Sequence, residues 1–134
     1  MSAGTGITHS EFNNEYEETL LFQIWIEPQQ SNLKPCWKNI NIINNKNYGI
    51  WPLVSGEKKF TQLNLLKIHQ NVTLYQIKGN SKQSIQFELD SKRQIYFVIS
   101  IGSCTVQNIQ LGLRDGAHVK DKKKINFIFQ GETE

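Results

Sequence analysis

Short apolar runs of period two, each closed by a turn signal, constrain this chain more than any other feature. Leu20, Phe22, Ile24 and Ile26 alternate with Leu21, Gln23, Trp25 and Glu27, which is strand periodicity with both faces partly apolar. Pro28 closes that run, because it lacks the N–H that a ladder would use. Similar runs follow at 63–68, 72–77, 84–89, 94–100, 105–109 and 125–129. Between them stand Lys78-Gly79-Asn80, Asp90-Ser91, Ile101-Gly102-Ser103 and Asp115-Gly116, residues that favour turns. No stretch of twelve residues carries a 3.6-residue apolar stripe. The pattern predicts an all-β sandwich or barrel, not alternating strands and helices.

The segment 28–60 differs from both flanks. It is rich in Asn and Lys and holds Trp37, Tyr48, Trp51 and Pro52, a composition foreign to a flexible linker. It reads as a connecting strap with one or two short strands, packed by its aromatic residues. The expected organisation is a first part at 1–27, the strap at 28–60 and a β module at 61–130. The chain has 134 residues, room for one ordinary domain. Thirteen Asn and twelve Gln are a heavy amide load, but they lie scattered among sixteen Ile and seven Phe. That scatter excludes a disordered or prion-like chain.

Cys36 and Cys104 are far apart in sequence and belong to no CxxC pair, so neither a disulfide framework nor a structural zinc site is expected. The first residues carry no basic and apolar leader, and Ser2 stands where myristoylation needs glycine. The longest apolar stretches are strand-sized, too short to span a bilayer. The expectation is a cytoplasmic protein with no membrane partner. Formal net charge is +3, which permits acidic partners and demands none. The run Lys120-Asp121-Lys122-Lys123-Lys124 reads as a solvated hairpin turn. It has no Arg fork and no interleaved aromatic residues, so a nucleic acid is not an expected partner. Gly4-Thr5-Gly6 is no phosphate loop, since no GK[ST] follows.

The densest group of potential ligands is Ile7-Thr8-His9-Ser10-Glu11-Phe12-Asn13. On a strand, His9, Glu11 and Asn13 would share one face, with successive side chains about 6–7 Å apart. An imidazole and a carboxylate at that spacing can reach one cation between them. The same spacing also suits a polar strand face on which His9 and Glu11 bond to each other. Ser10 would point to the opposite face, so a Ser10–His9 nucleophile pair is not expected.

The stretch from Met1 to Asn13, together with Leu21-Phe22-Gln23-Ile24-Trp25-Ile26-Glu27-Pro28, resembles the pirin family. Its members are bicupins, and several act as quercetin 2,3-dioxygenases. Ile68-His69-Gln70-Asn71-Val72-Thr73-Leu74-Tyr75 resembles the opening of the family's second barrel, and Asp115-Gly116-Ala117 a late turn of it. The resemblance implies a cupin-type sandwich or jelly-roll barrel over 61–130, with 1–27 a remnant of the first barrel. It implies a site of three histidines and one glutamate that holds one divalent ion (Fe, Mn, Co, Ni, Cu or Zn), two of whose ligands carry over to His9 and Glu11. The other two histidines belong to an HPH-type motif that this sequence lacks. His69 falls in the second-barrel segment and His118 where the family typically shows apolar residues, so each reads as structural or surface-exposed rather than as a ligand. A truncated pirin-like protein follows as the expectation, not catalytic on its own, with any metal held weakly. The alternative is half of a split enzyme that oxidises a flavonol once another polypeptide completes the site. Exposed strand edges in 1–27 would then find that polypeptide, or a second copy of this chain.

Overall fold

The computed structural model describes residues 1–41, 47–60 and 65–134. The chain divides into two compact units. One comprises Met1–Ile42 and Pro52–Leu74, the other Ile43–Trp51 and Tyr75–Glu134. Nine strands and one 3-10 turn at Lys58–Phe60 are the regular elements among the described residues, so the all-β expectation holds.

The second unit carries the core. Strands β4 (Ser84–Glu88), β9 (Lys124–Phe129), β6 (Cys104–Val106) and β7 (Ile109–Leu111) form an antiparallel sheet in the order β4-β9-β6-β7. Strands β5 (Ile95–Val98) and β8 (Gly116–Val119) form an antiparallel pair. Alternation decides which face is buried. In β9, Ile125, Phe127 and Phe129 point inward while Lys124, Asn126 and Ile128 point out. These three residues with Ile99, Cys104 and Val106 make the buried core, and Ile85, Phe87, Phe97 and Val119 pack against it. Tyr75 and Phe87 meet edge to face at 5.1 Å.

Two elements within this unit depart from the sequence reading. The expected strand 105–109 is a hairpin, because Gln107 and Asn108 adopt φ of 49° and 68° and reverse the chain between β6 and β7. Two consecutive left-handed residues are what a two-residue hairpin turn requires. Gly116 of the expected Asp115-Gly116 turn is instead the first residue of β8, a strand that the periodicity does not mark.

The first unit is mostly irregular. Gly4 (φ 54°) and Gly6 (φ 135°) shape the expected glycine turn, closed by Gly6 N–H donating to the Ala3 carbonyl at 2.9 Å. Ser2 bridges to Cys36 through paired backbone bonds of 2.8 and 3.0 Å. Val54 and Ser55 of β1 (Gly49–Ser55) pair in parallel with Leu66 and Lys67 of β2 (Leu66–Lys67). Of strand β3 (Thr73–Lys78), only Thr73 and Leu74 belong to this unit, and there Thr73 Oγ1 meets Ser55 Oγ of β1 at 2.7 Å. The expected run at 63–68 thus shrinks to β2, with residues 63 and 64 outside the described residues. The expected strands at 7–12 and 20–26 do not form. Periodicity prepares a segment for pairing, but a strand exists only where a neighbour supplies hydrogen bonds, and no strand pairs with either segment among the described residues. Leu20, Phe22, Ile24 and Trp25 remain 56–84% exposed.

Candidate functional site

His9 and Glu11 lie on the irregular segment that leaves the glycine turn. Their side chains approach to 3.9 Å between Nε2 and Oε1, at relative exposures of 41% and 55%. Glu11 Oε1 also accepts a bond from Gln23 Nε2 at 3.4 Å. Asn13 does not join them. Its Oδ1 accepts from Glu15 N–H at 3.0 Å and its Nδ2 donates to the Glu17 carbonyl at 2.7 Å, a local turn that engages both ends of the amide. The shared strand face is therefore replaced by a His9–Glu11 pair with Asn13 turned back on its own backbone.

The other histidines are engaged elsewhere. His69 Nδ1 bonds to Ser2 Oγ at 3.0 Å, and the His69 carbonyl accepts from Gln29 N–H. His118 Nε2 meets Gln94 Oε1 at 2.7 Å on the exposed surface of the β5–β8 pair. No group of three or more His, Cys, Asp or Glu side chains converges among the described residues. One imidazole and one carboxylate are donors of the right chemistry for a first-row divalent ion. They are too few to hold it, since a stable site takes three or four protein ligands. The described residues therefore do not fit a complete metal centre, and no catalytic step is assigned through one.

A polar cluster that the sequence reading missed lies near the start of β3. Thr73 Oγ1 bonds to Glu57 Oε1 at 2.5 Å and to Ser55 Oγ at 2.7 Å, while Glu57 Oε2 pairs with Lys59 Nζ at 3.3 Å. The cleft beside it, lined by Ser55, Phe60, Lys67 and others, encloses about 80 Å³. Ligand pockets for drug-sized molecules start near 300 Å³, so this cleft does not admit a flavonol. Bonding inside the cluster ties β1 to β3 and accounts for its polar groups.

In the second unit the interior is filled. Phe97, Phe127 and Phe129 pack within one apolar cluster, whose one ionisable side chain is the buried Cys104 thiol. The profile of the quercetinase C-terminal cupin domain, a pirin domain, matches residues 53–134. The chain belongs to this pirin family. A pirin-like protein of Caulobacter vibrioides is 32% identical over 144 residues, covering all of this chain and 57% of that protein. A quercetin 2,3-dioxygenase of Escherichia coli strain K12 is 26% identical over 137 residues, again covering all of this chain and 56% of that protein. The chain thus spans little more than half the length of these relatives. YhhW from Escherichia coli shares the fold, with a TM-score of 0.72 at 17% identity over 81% of this chain and 44% of YhhW. The same pirin has been solved in complex with nickel(II) and superposes with a TM-score of 0.70. Among the described residues of this pirin-family chain, no helix is long and apolar enough to cross a membrane.

Proposed function

We propose that the chain is the C-terminal cupin of a pirin-type protein related to metal-dependent quercetin 2,3-dioxygenases, joined to half of its metal site. His9 and Glu11 are the two ligands present, and residues 1–134 alone do not oxidise a flavonol. The observation that carries this reading is the approach of His9 to Glu11 at 3.9 Å with no third His, Cys, Asp or Glu converging on them among the described residues, in a chain of this family. The pocket follows the same logic. Dioxygenation of a flavonol needs walls that orient the substrate and exclude water, and these two side chains stand open to solvent.

Metal analysis of the purified chain tests the proposal. Nickel(II), the ion in the related YhhW structure, and Fe, Mn, Co, Cu and Zn are to bind weakly and wash out on gel filtration. The weak binding is to disappear in His9→Ala. Near-stoichiometric metal that survives gel filtration and is lost in His9→Ala would overturn the incomplete-site reading. Metal uptake unchanged by His9→Ala would overturn the ligand assignment.

A second reading is favoured by the exposed alternation Leu20, Phe22, Ile24 and Ile26. On this reading the segment receives a strand from a polypeptide that carries further first-barrel histidines, and a three-histidine, one-glutamate site assembles. Co-purification with a polypeptide that supplies the remaining length of the relatives, followed by a quercetin oxidation assay, distinguishes the two. Activity that requires both partners and is abolished by Glu11→Gln supports assembly. A second copy of this chain is the other occupant, and a monomer at all concentrations in analytical ultracentrifugation excludes it.

A further inference from the structure

Charge is segregated in the second unit. The Glu88–Lys124 pairing at the end of β4 and β9, and Leu89 N–H donating to the Lys123 carbonyl at 2.8 Å, bring loop 89–94 beside loop 120–123. The pairing of Ile95 with Val119 places the other ends of both loops together as well. Gln107 Nε2 donates to the Lys124 carbonyl at 3.0 Å, which adds the β6–β7 turn to the same end. Loops distant in sequence thus form one basic tip.

The tip holds Lys92, Arg93, Lys120, Lys122, Lys123 and Lys124 against Glu88, Asp90 and Asp121. These are six of the 15 cationic and three of the 12 acidic side chains, so the whole formal excess of +3 resides here. Lys124 is tied to Glu88 at 3.2 Å. Lys92, Lys120, Lys122 and Lys123 are exposed and have no ion-pair partner among the described residues. Lys92 and Asp121 take left-handed backbone conformations, φ 67° and 58°, of the kind tight turns use.

We propose that this tip binds the phosphate backbone of a nucleic-acid duplex without reading its sequence. Lysine ammoniums are point charges that neutralise phosphates, whereas base readout relies on bidentate Arg, Asn or Gln contacts and stacked aromatics. The tip's one arginine, Arg93, already has an interaction within the chain, no aromatic residue belongs to the tip loops, and Gln107 spends its amide on the Lys124 carbonyl. A membrane surface is the weaker match. Leu89 packs against the core, and the exposed Ile109 is a single apolar side chain without an aromatic anchor beside it. This inference rests on the second unit alone and is independent of the His9–Glu11 reading.

Fluorescence anisotropy with a short duplex of mixed sequence is the test. Affinity is to fall about 100-fold between about 50 and 200 mM salt, as release of counterions from about four phosphates requires. Lys92→Gln/Lys120→Gln/Lys122→Gln/Lys123→Gln is to weaken binding at least about tenfold and to flatten the salt slope by about 3–4. Lys34→Gln/Lys38→Gln/Lys67→Gln/Lys82→Gln removes equal charge elsewhere and is to keep binding. The proposal is overturned if the native chain does not bind, or if the second variant loses as much as the first. Tighter binding to phosphatidylserine vesicles than to duplex at equal phosphate also overturns it.

Discussion

Phe97 and Phe127 meet edge to face, with ring centroids 5.4 Å apart and planes at 72°. Phe97 belongs to the β5–β8 pair and Phe127 to the centre of the four-stranded sheet, so this contact joins the two layers of the cupin. Phe127 is 3% exposed and is flanked in register by Ile85 and Val106. Phe127→Ala removes the ring contact and leaves a void between layers. A loss of about 3–5 kcal/mol is expected, measured by urea unfolding, with Phe127→Leu costing distinctly less. Equal effects of both substitutions would mean that the aromatic geometry contributes nothing beyond volume.

Gly79 sits where the C-terminal segment closes on the sheet, exchanging backbone bonds with Thr133 of 3.0 and 2.9 Å. A Cβ there would collide with the ring of Phe129, which is 2% exposed and has nowhere to swing. Gly79→Ala is expected to destabilise by about 1–3 kcal/mol through overpacking. Phe129→Leu in the Gly79→Ala background should cost less than the two single changes combined. Additive losses in that cycle would refute the steric account.

Cys104 is 1% exposed, and burial pushes its thiol above the ordinary value of 9.0. The folded state therefore favours the protonated, neutral thiol. Its contribution to stability is complete below the unfolded thiol's titration and is lost as pH rises through the folded one. Stability should fall above about pH 9 in the native chain and fall less steeply in Cys104→Ala. Iodoacetamide at neutral pH should label the exposed Cys36 rapidly and Cys104 only in denaturant. Equal labelling rates without denaturant would contradict the burial.

His9 and Glu11 are an exposed pair, so their exchange should leave the fold intact. His9→Ala and Glu11→Gln are each expected to change the unfolding free energy by no more than about 0.5 kcal/mol. Any change in metal uptake by these variants is then a ligand effect. A drop of several kcal/mol in either would assign the pair a structural role instead.

Much of the second unit was legible because its strands bury one face. The alternation of Ile125, Phe127 and Phe129 against Lys124 and Asn126 is both the sequence signal and the buried pattern of β9. The amide load also finds a use that composition could not assign. Gln86 Nε2 donates to Asn126 Oδ1 at 3.0 Å between paired positions of β4 and β9. Gln130 donates to Thr105 Oγ1 at 3.1 Å and accepts from Gln110 and Ser103. Amides thus lace the exposed sheet face through cross-strand contacts. The turn at Gln107–Asn108 was not legible, because neither residue is the glycine that usually marks a left-handed pair. In the candidate site, the donor types of His9 and Glu11 were readable, whereas the diversion of Asn13 into a local turn was not.

By itself the sequence determined the all-β class, the inward residues of the main strands and membership of the pirin family. Each is written in local pattern or in residue identity. Only the tertiary structure decided that 20–26 stays unpaired, that Asn13 leaves His9 and Glu11, and that Lys92 and Arg93 stand beside the lysines of 120–124. Those outcomes depend on which segments exchange hydrogen bonds. Side-chain alternation is a property of one segment, whereas a strand, a ligand set or a charged tip belongs to segments that meet only after the chain has folded.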